Sequence, residues 1–296
     1  MLSISRPTPA HLLVYAASLA MVGICTALAL RAGSTPLTVV TARWIATLVL
    51  FLAYFRLARV PLALGRRERA TATLIALPLC LNNYCLNEAI ALIPVPLAVL
   101  IFYLWPAITT AASWALGTER FRASRLAGLA LAFCGVALAL DADLTRSQAK
   151  GVLLALTSAC SWSLVFLLMH RFFRGRDPRP VMLHMAMCAV AIFVAALWLA
   201  GAFALPSQAA GWAGLGTVGL FYSFGMIGLF AASAKLGPAR TGFFMNFEPI
   251  AAVLLSALLL GQTLAPLQLA GAALVILALF LFRPPAAAGE APSRRS

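Results

Sequence analysis

The sequence predicts an all-α membrane protein of ten transmembrane helices, built as two five-helix repeats of inverted topology with both termini cytoplasmic. Three observations carry that expectation. Hydrophobic residues make up 63% of the 296 positions and charged residues only 10%, whereas soluble domains run near ~45–50% and ~25%. The lysines and arginines are distributed very unevenly between alternate loops, and the chain matches itself when it is shifted to bring Pro106 onto Pro249.

A helix needs about 20 apolar residues, rising about 1.5 Å each, to cross the hydrocarbon core. Ten stretches meet that length approximately: 12–31, 37–55, 71–92, 96–116, 126–141, 151–170, 181–201, 211–234, 241–260 and 267–282. The first, LLVYAASLAMVGICTALAL, exceeds a signal-peptide apolar core and is expected to be a retained helix. The polar gaps are short, the longest being the Arg-rich segment 56–70, so function is expected inside the bundle. The net charge of +14 is scattered between spans without interleaved aromatics, which points to membrane orientation and not to nucleic acid.

With a cytoplasmic N-terminus, the inside segments hold Arg6, Arg56, Arg59, Arg66, Arg67, Arg69, Arg120, Arg122, Arg125, Arg171, Arg174, Arg176, Arg179, Lys235, Arg240, Arg283, Arg294 and Arg295. The outside segments hold only Arg31, Arg146 and Lys150, and Arg43 lies within a span. That bias satisfies the positive-inside rule.

The shift that sets Pro106 on Pro249 also sets Ser113 on Ser256, and Leu126, Ala127 and Gly128 on Leu269, Ala270 and Gly271, while Glu119 meets Gln262. The mismatches are as informative: Arg120, Arg122 and Arg125 meet Thr263, Ala265 and Gln268, and the Arg-rich loop 56–70 meets the uncharged GAFALPSQAA. A repeat with an odd number of spans enters the membrane from opposite sides in its two copies, and the arginines mark the cytoplasmic one. Residues 1–143 are expected to form the first repeat, 144–283 the second, and 284–296 a cytoplasmic tail. Inverted repeats place a pseudo-two-fold axis in the membrane plane, so two halves can open a central site alternately to each side.

The patterns ALIPVPLAVLIFYLWPAITTAASWALGTE…LAG and SAKLGPARTGFFMNFEPIAAVLLSALLLGQ…LAG, one in each half, resemble the EamA type of the drug/metabolite transporter superfamily. Arg43, early in the second span, matches an arginine common in that family. YLWP, residues Tyr103 to Pro106, resembles the branch of YddG-like aromatic amino acid exporters. The resemblance implies a secondary transporter in an inner membrane, exporting Phe, Tyr, Trp and smaller amino acids through a cavity near mid-membrane. Gln262 departs from the family, many of whose members carry Glu there.

Aromatic and polar residues inside spans are the candidate binding groups. Tyr103 and Trp105 lie mid-span, away from the interfaces where aromatic belts form, and a phenol or indole in hydrocarbon needs a polar partner. Pro106 lacks an N–H and clashes with the carbonyl of Phe102, so a kink is expected there and, by the repeat, at Pro249. CLNNYCLNEA places Asn82, Asn83, Tyr84, Asn87 and Glu88 in one span, where intramembrane polar groups face the bundle interior or water; interhelical bonding and substrate contact both fit them. Glu248 aligns with Trp105 and has three readings: receptor for a substrate ammonium, a proton-coupling group, or an ion-pair partner of Arg43. Trp162, Tyr222 and Met226 add soft, flat surfaces suited to an aromatic solute.

Chemistry of other kinds finds no support in the residues. There is no phosphate-binding G-x-x-x-x-G-K-[ST] loop, no serine, histidine and acid set, and His11, His170 and His184 are dispersed. Cys25, Cys80, Cys85, Cys134, Cys160 and Cys188 all lie in apolar spans without C-x-x-C pairing, as packing residues do. Neither metal nor cofactor is expected; the partners are a small solute and the bilayer, and a monomer is compatible with the chain. Efflux of drugs or cationic metabolites is the alternative transport reading. A membrane-embedded enzyme or sensor would need a catalytic set or an output domain.

Overall fold

The computed structural model describes residues 8–59, 63–117, 123–140, 145–173, 176–236 and 238–281. Arg6, Glu119, Arg120, Arg122, Arg174, Arg283 and the tail 284–296 lie outside the described residues. The first half contains α1 (Pro9–Arg31), α2 (Pro36–Leu57), α3 (Arg66–Leu92), α4 (Val95–Phe102), α5 (Trp105–Ala115) and α6 (Ala123–Ala139). The second contains α7 (Arg146–Phe173), α8 (Pro178–Ala200), α9 (Ala209–Leu236), α10 (Pro238–Met245), α11 (Glu248–Leu260) and α12 (Pro266–Leu281). No strand occurs among the described residues.

Proline opens many of these helices, because the first turn leaves its N–H groups unpaired anyway: Pro9, Pro36, Pro178, Pro238 and Pro266 each stand at a start. Thr35 caps α2 by accepting from the Thr38 N–H at 3.1 Å, and Asp177 caps α8 by accepting from the Arg179 N–H at 3.0 Å.

Seven helical stretches among the described residues are long and apolar enough to cross a membrane, counting Val95–Ala115 and Phe243–Leu260 as one stretch each. Leu126–Ala139 and Pro266–Phe280 are apolar but shorter. The remaining expected span, α3, is long but opens on Arg66, Arg67, Glu68 and Arg69 and carries Asn82, Asn83, Asn87 and Glu88 towards its end. Those groups lower its hydropathy without shortening it.

The repeat is visible in the element boundaries. α9, α10, α11 and α12 follow α3, α4, α5 and α6 at one constant spacing, the same shift that sets Pro106 on Pro249. It is visible again in packing. The most extensive helix contacts are α1 on α9, α3 on α7, and α6 on α12. In each of the first two pairs, the first helix of one half lies on the third helix of the other.

Both pairs run antiparallel. Along α1 and α9, Ser18 donates to the Phe221 carbonyl at 2.8 Å, Cys25 meets Thr217 at 3.4 Å, and Ala32 lies against Gly211. Along α3 and α7, Asn82 donates to Ser158, and Leu92 and Ile93 cover Gly151. Between α6 and α12 the backbones touch: a Cβ on Gly135 would stand 2.7 Å from the Gly271 carbonyl, and one on Gly271 would strike the Gly135 carbonyl in return. Only small residues permit such an approach.

Polar ties mark the two ends of the bundle. Glu68 pairs with Arg176, joining segment 56–70 to the start of α8. At the other end, Arg31 donates to the Leu260 carbonyl at 3.1 Å, and Ser207 donates to the Ala32 carbonyl at 2.9 Å.

Candidate functional site

Sequence reasoning expects a kink before each mid-span proline, and the structure goes further by interrupting both helices. α4 stops at Phe102 and α5 restarts at Trp105, with Tyr103 and Leu104 in the turn and Pro106 at the start of the new helix. In the second half α10 stops at Met245, Asn246 and Phe247 form the turn, and α11 restarts at Glu248 with Pro249 next. Two backbone bonds recur at the same positions in both breaks. The Leu104 N–H donates to Ile101 and the Phe247 N–H to Phe244, each at 3.1 Å, while the Ile108 N–H reaches Leu104 and the Ala251 N–H reaches Phe247. Proline suits the first turn of a restarted helix and cannot continue an old one.

Side chains of the turns join the two breaks to each other. The Tyr103 hydroxyl lies 2.8 Å from Oε2 of Glu248 and 3.2 Å from the Met245 carbonyl. Tyr103 is buried and Glu248 only partly so. Asn246 donates to the Leu279 carbonyl at 3.1 Å, anchoring the second break to α12. The Trp105 carbonyl accepts from Thr109 at 2.7 Å and from Ser163 of α7 at 2.8 Å.

An aromatic wall continues from the first break onto α7. The Trp105 ring packs 5.5 Å from Phe166, Phe102 lies 6.5 Å from Trp162, and Phe102 meets Tyr103 edge-on at 5.8 Å. Tyr103 and Trp105 point apart, Tyr103 toward Glu248 and Trp105 toward Phe166, as residues two apart on a helix do. The second break has its own cluster of Phe243, Phe244, Phe247 and Phe280.

A third group sits where α2, α3 and α9 meet. Arg43 is 4% exposed; its Nη2 donates to Oδ1 of Asn83 at 2.5 Å, and its guanidinium lies 5.2 Å from the centre of the Tyr222 ring. Tyr222 packs edge-on against Trp44 at 5.5 Å. It stands within electrostatic reach of both Arg43 and Glu248. Four buried donors here have no hydrogen-bond partner among the described residues: Arg43 Nε, Trp44 Nε1, Thr47 Oγ1 and Ser223 Oγ.

The ion pair considered between Arg43 and Glu248 is not formed in this structure. Arg43 is held by Asn83 and Tyr222 and Glu248 by Tyr103, because each residue's own neighbours are closer to hand than the opposite charge. Asn82 and Asn87 act between helices: Asn82 donates to the Ser158 carbonyl and hydroxyl at 3.0 and 2.8 Å, and Asn87 accepts from Thr26 at 3.5 Å. Tyr84 shares the exposed face of α3 with Leu74, Leu77 and Leu81, and its polar neighbour is Glu88. Met226 is buried among Phe51, Phe55 and Leu183. Trp198 is 81% exposed, on the perimeter a bilayer would cover.

The structure thus brings Tyr103, Glu248, Trp105 and Trp162 together around the two breaks, gathers Arg43, Asn83 and Tyr222 in a group of their own, and leaves Tyr84 and Met226 to one side. Sequence reasoning missed Phe166, Ser163, Trp44, Thr47 and Ser223. Phe166 is readable as the residue one turn after Trp162; the others need the helix pairing. A separate cleft of about 490 Å³ opens between α3 and α8, lined by Leu64, Arg69, Leu183, His184 and Met187 among others. No group of three metal-ligating side chains occurs among the described residues.

The family model for the EamA-like transporter family matches residues 9–140 and again 149–283. A solved crystal structure of a protein 18% identical to this chain superposes with a TM-score of 0.65, covering 94% of this chain and 98% of that one, which is a likeness of fold. No curated protein matches the sequence.

Proposed function

The chain belongs to the EamA-like transporter family, as a multi-pass membrane protein that carries small solutes, and from that premise we propose that it exports aromatic and other neutral amino acids across an inner membrane by alternating access. The Tyr103–Glu248 bond carries this reading, because it joins two interrupted helices from the two halves. Discontinuous helices at a repeat interface are where transporters of this construction bind their solutes.

The YLWP break, with Trp105, Phe102 and Trp162, offers flat apolar surface for a ring. Glu248 accepts from Tyr103 alone among the described residues, which leaves carboxylate capacity for an ammonium group. The antiparallel pairing of each first helix with the opposite third helix fits halves of inverted orientation. The Glu68–Arg176 tie gathers two Arg-rich segments at one end, in keeping with a cytoplasmic face there.

Uptake of labelled phenylalanine, tryptophan, alanine and leucine into proteoliposomes, with and without a pH gradient, tests the reading. Flux of aromatic amino acids is expected, and flux of none of them overturns it. The availability of Glu248 also favours a second reading, efflux of organic cations; carriage of a quaternary ammonium in place of tryptophan would establish that one.

A further inference from the structure

Arg43 is a guanidinium in the interior of a membrane protein, 4% exposed, with no carboxylate against it among the described residues. Charge buried without an opposite charge is costly, and the groups around it, an amide oxygen and the face of a phenol, offset only part of that cost. Its Nε is unpartnered, as are the indole Nε1 of Trp44, which packs on the same Tyr222 ring, and the hydroxyl of Thr47 one turn further along α2. The α9 wall stands close on this side of α2: a Cβ on Gly219 would lie 3.1 Å from the Arg43 carbonyl. The Arg43 Nε–H and the Trp44 indole N–H, which can only donate, have no acceptor among the described residues.

We propose that Arg43 is the anchor for the carboxylate of the transported solute, with Trp44 and Thr47 as auxiliary donors and Tyr222 as the cover that the solute displaces. The inference rests on the transport reading above and adds the residue that receives the carboxylate of the solute. An arginine fork matches a carboxylate through two parallel N–H bonds, and the Arg43 Nε–H is free to form one such pair with the second hydrogen of Nη2, whose other hydrogen is held by Asn83. Tyr222 lies against the proposed anion receptor, 5.2 Å from the Arg43 guanidinium, and within electrostatic reach of Glu248. A solute with both groups and a ring then has three places to be held: Arg43, Glu248 and the wall of Trp105 and Phe166.

The test uses the full-length protein in detergent micelles, titrated with 3-phenylpropionate, which has the carboxylate alone, and phenethylamine, which has the ammonium alone, followed by tryptophan fluorescence. Arg43→Gln is expected to weaken 3-phenylpropionate about tenfold or more, the scale of a lost charged hydrogen bond, and to weaken it at least tenfold more than it weakens phenethylamine. Arg43→Lys, which keeps the charge and loses the fork, is expected to fall between wild type and Arg43→Gln, and it stands in if Arg43→Gln does not elute as a single species. Equal losses for the two probes in both variants, or no binding of 3-phenylpropionate by the wild type, overturn the inference.

Counterflow of labelled phenylalanine separates this from the transport reading. Flux of phenylalanine with no discrimination against phenethylamine removes Arg43 from recognition and leaves the transporter standing. Arg43-dependent binding of 3-phenylpropionate without flux of phenylalanine sustains the anchor and overturns the amino acid assignment.

Discussion

The two helix breaks share a backbone and differ in chemistry. Turn, restart and hydrogen bonds coincide at Leu104 and Phe247, and a proline follows each break. At the position where each new helix begins, the first half has Trp105, packed on Phe166, and the second has Glu248, bonded to Tyr103. The copies share a backbone frame and diverge in the side chains at the breaks, which is where the proposed recognition is to be tested.

The frame itself should give the largest effect when disturbed. Gly135→Leu drives a side chain into the Gly271 carbonyl and the Val275 amide, and overpacking of that kind costs about 1–3 kcal/mol or more; a clear fall in melting temperature of the purified protein is expected. An unchanged melting curve would mean that the α6–α12 crossing is not as tight as described.

Glu248→Ala removes a carboxyl group where the equivalent position of the first half has Trp105. Flux of ammonium-bearing solutes is expected to fall about a hundredfold, the scale of a charged hydrogen bond lost in the rate-determining complex. Retention of flux in proteoliposomes would shift recognition away from the second break.

Trp105→Ala is expected to lower flux of aromatic amino acids about tenfold through lost ring contact. Trp198→Ala, at a position 81% exposed, is expected to change it less than about twofold. Equal effects would take Trp105 out of the site.

The prolines should act alike, being part of what the halves share. Pro106→Ala and Pro249→Ala are each expected to lower the turnover rate about threefold, since neither removes a side-chain contact to the solute and both allow the turn to rewind. A tenfold disparity between them would show that the breaks are not equivalent in motion.

Much of the frame is legible in the sequence because its cause is local. Pro106 and Pro249 announce interruptions by their chemistry, and the single shift that superposes them predicts where α9 to α12 begin from α3 to α6. Azimuth is not legible. Depth along a span makes Arg43 and Glu248 plausible partners, yet which way each points depends on helix rotation fixed by close contacts such as Gly219 against Arg43. Tyr84 shows the same gap: two residues from Asn82 in sequence, it lies on the exposed face that Leu77 and Leu81 share, while Asn82 reaches α7. The long α3 reads as a span by pattern, although its arginines and asparagines place it outside simple hydropathy.

The pairing of α1 with α9 has a consequence in time. The face of α1 that carries Ser18 and Cys25 is completed by Phe221 and Thr217, residues that the ribosome adds much later. At ~5–20 residues per second, α9 is made roughly 10–40 s after α1, and over that interval Ser18 and Cys25 lack the partners that α9 provides, whereas Thr26 already has Asn87 of α3 within reach. The first helix made is therefore completed on this face only by one of the last.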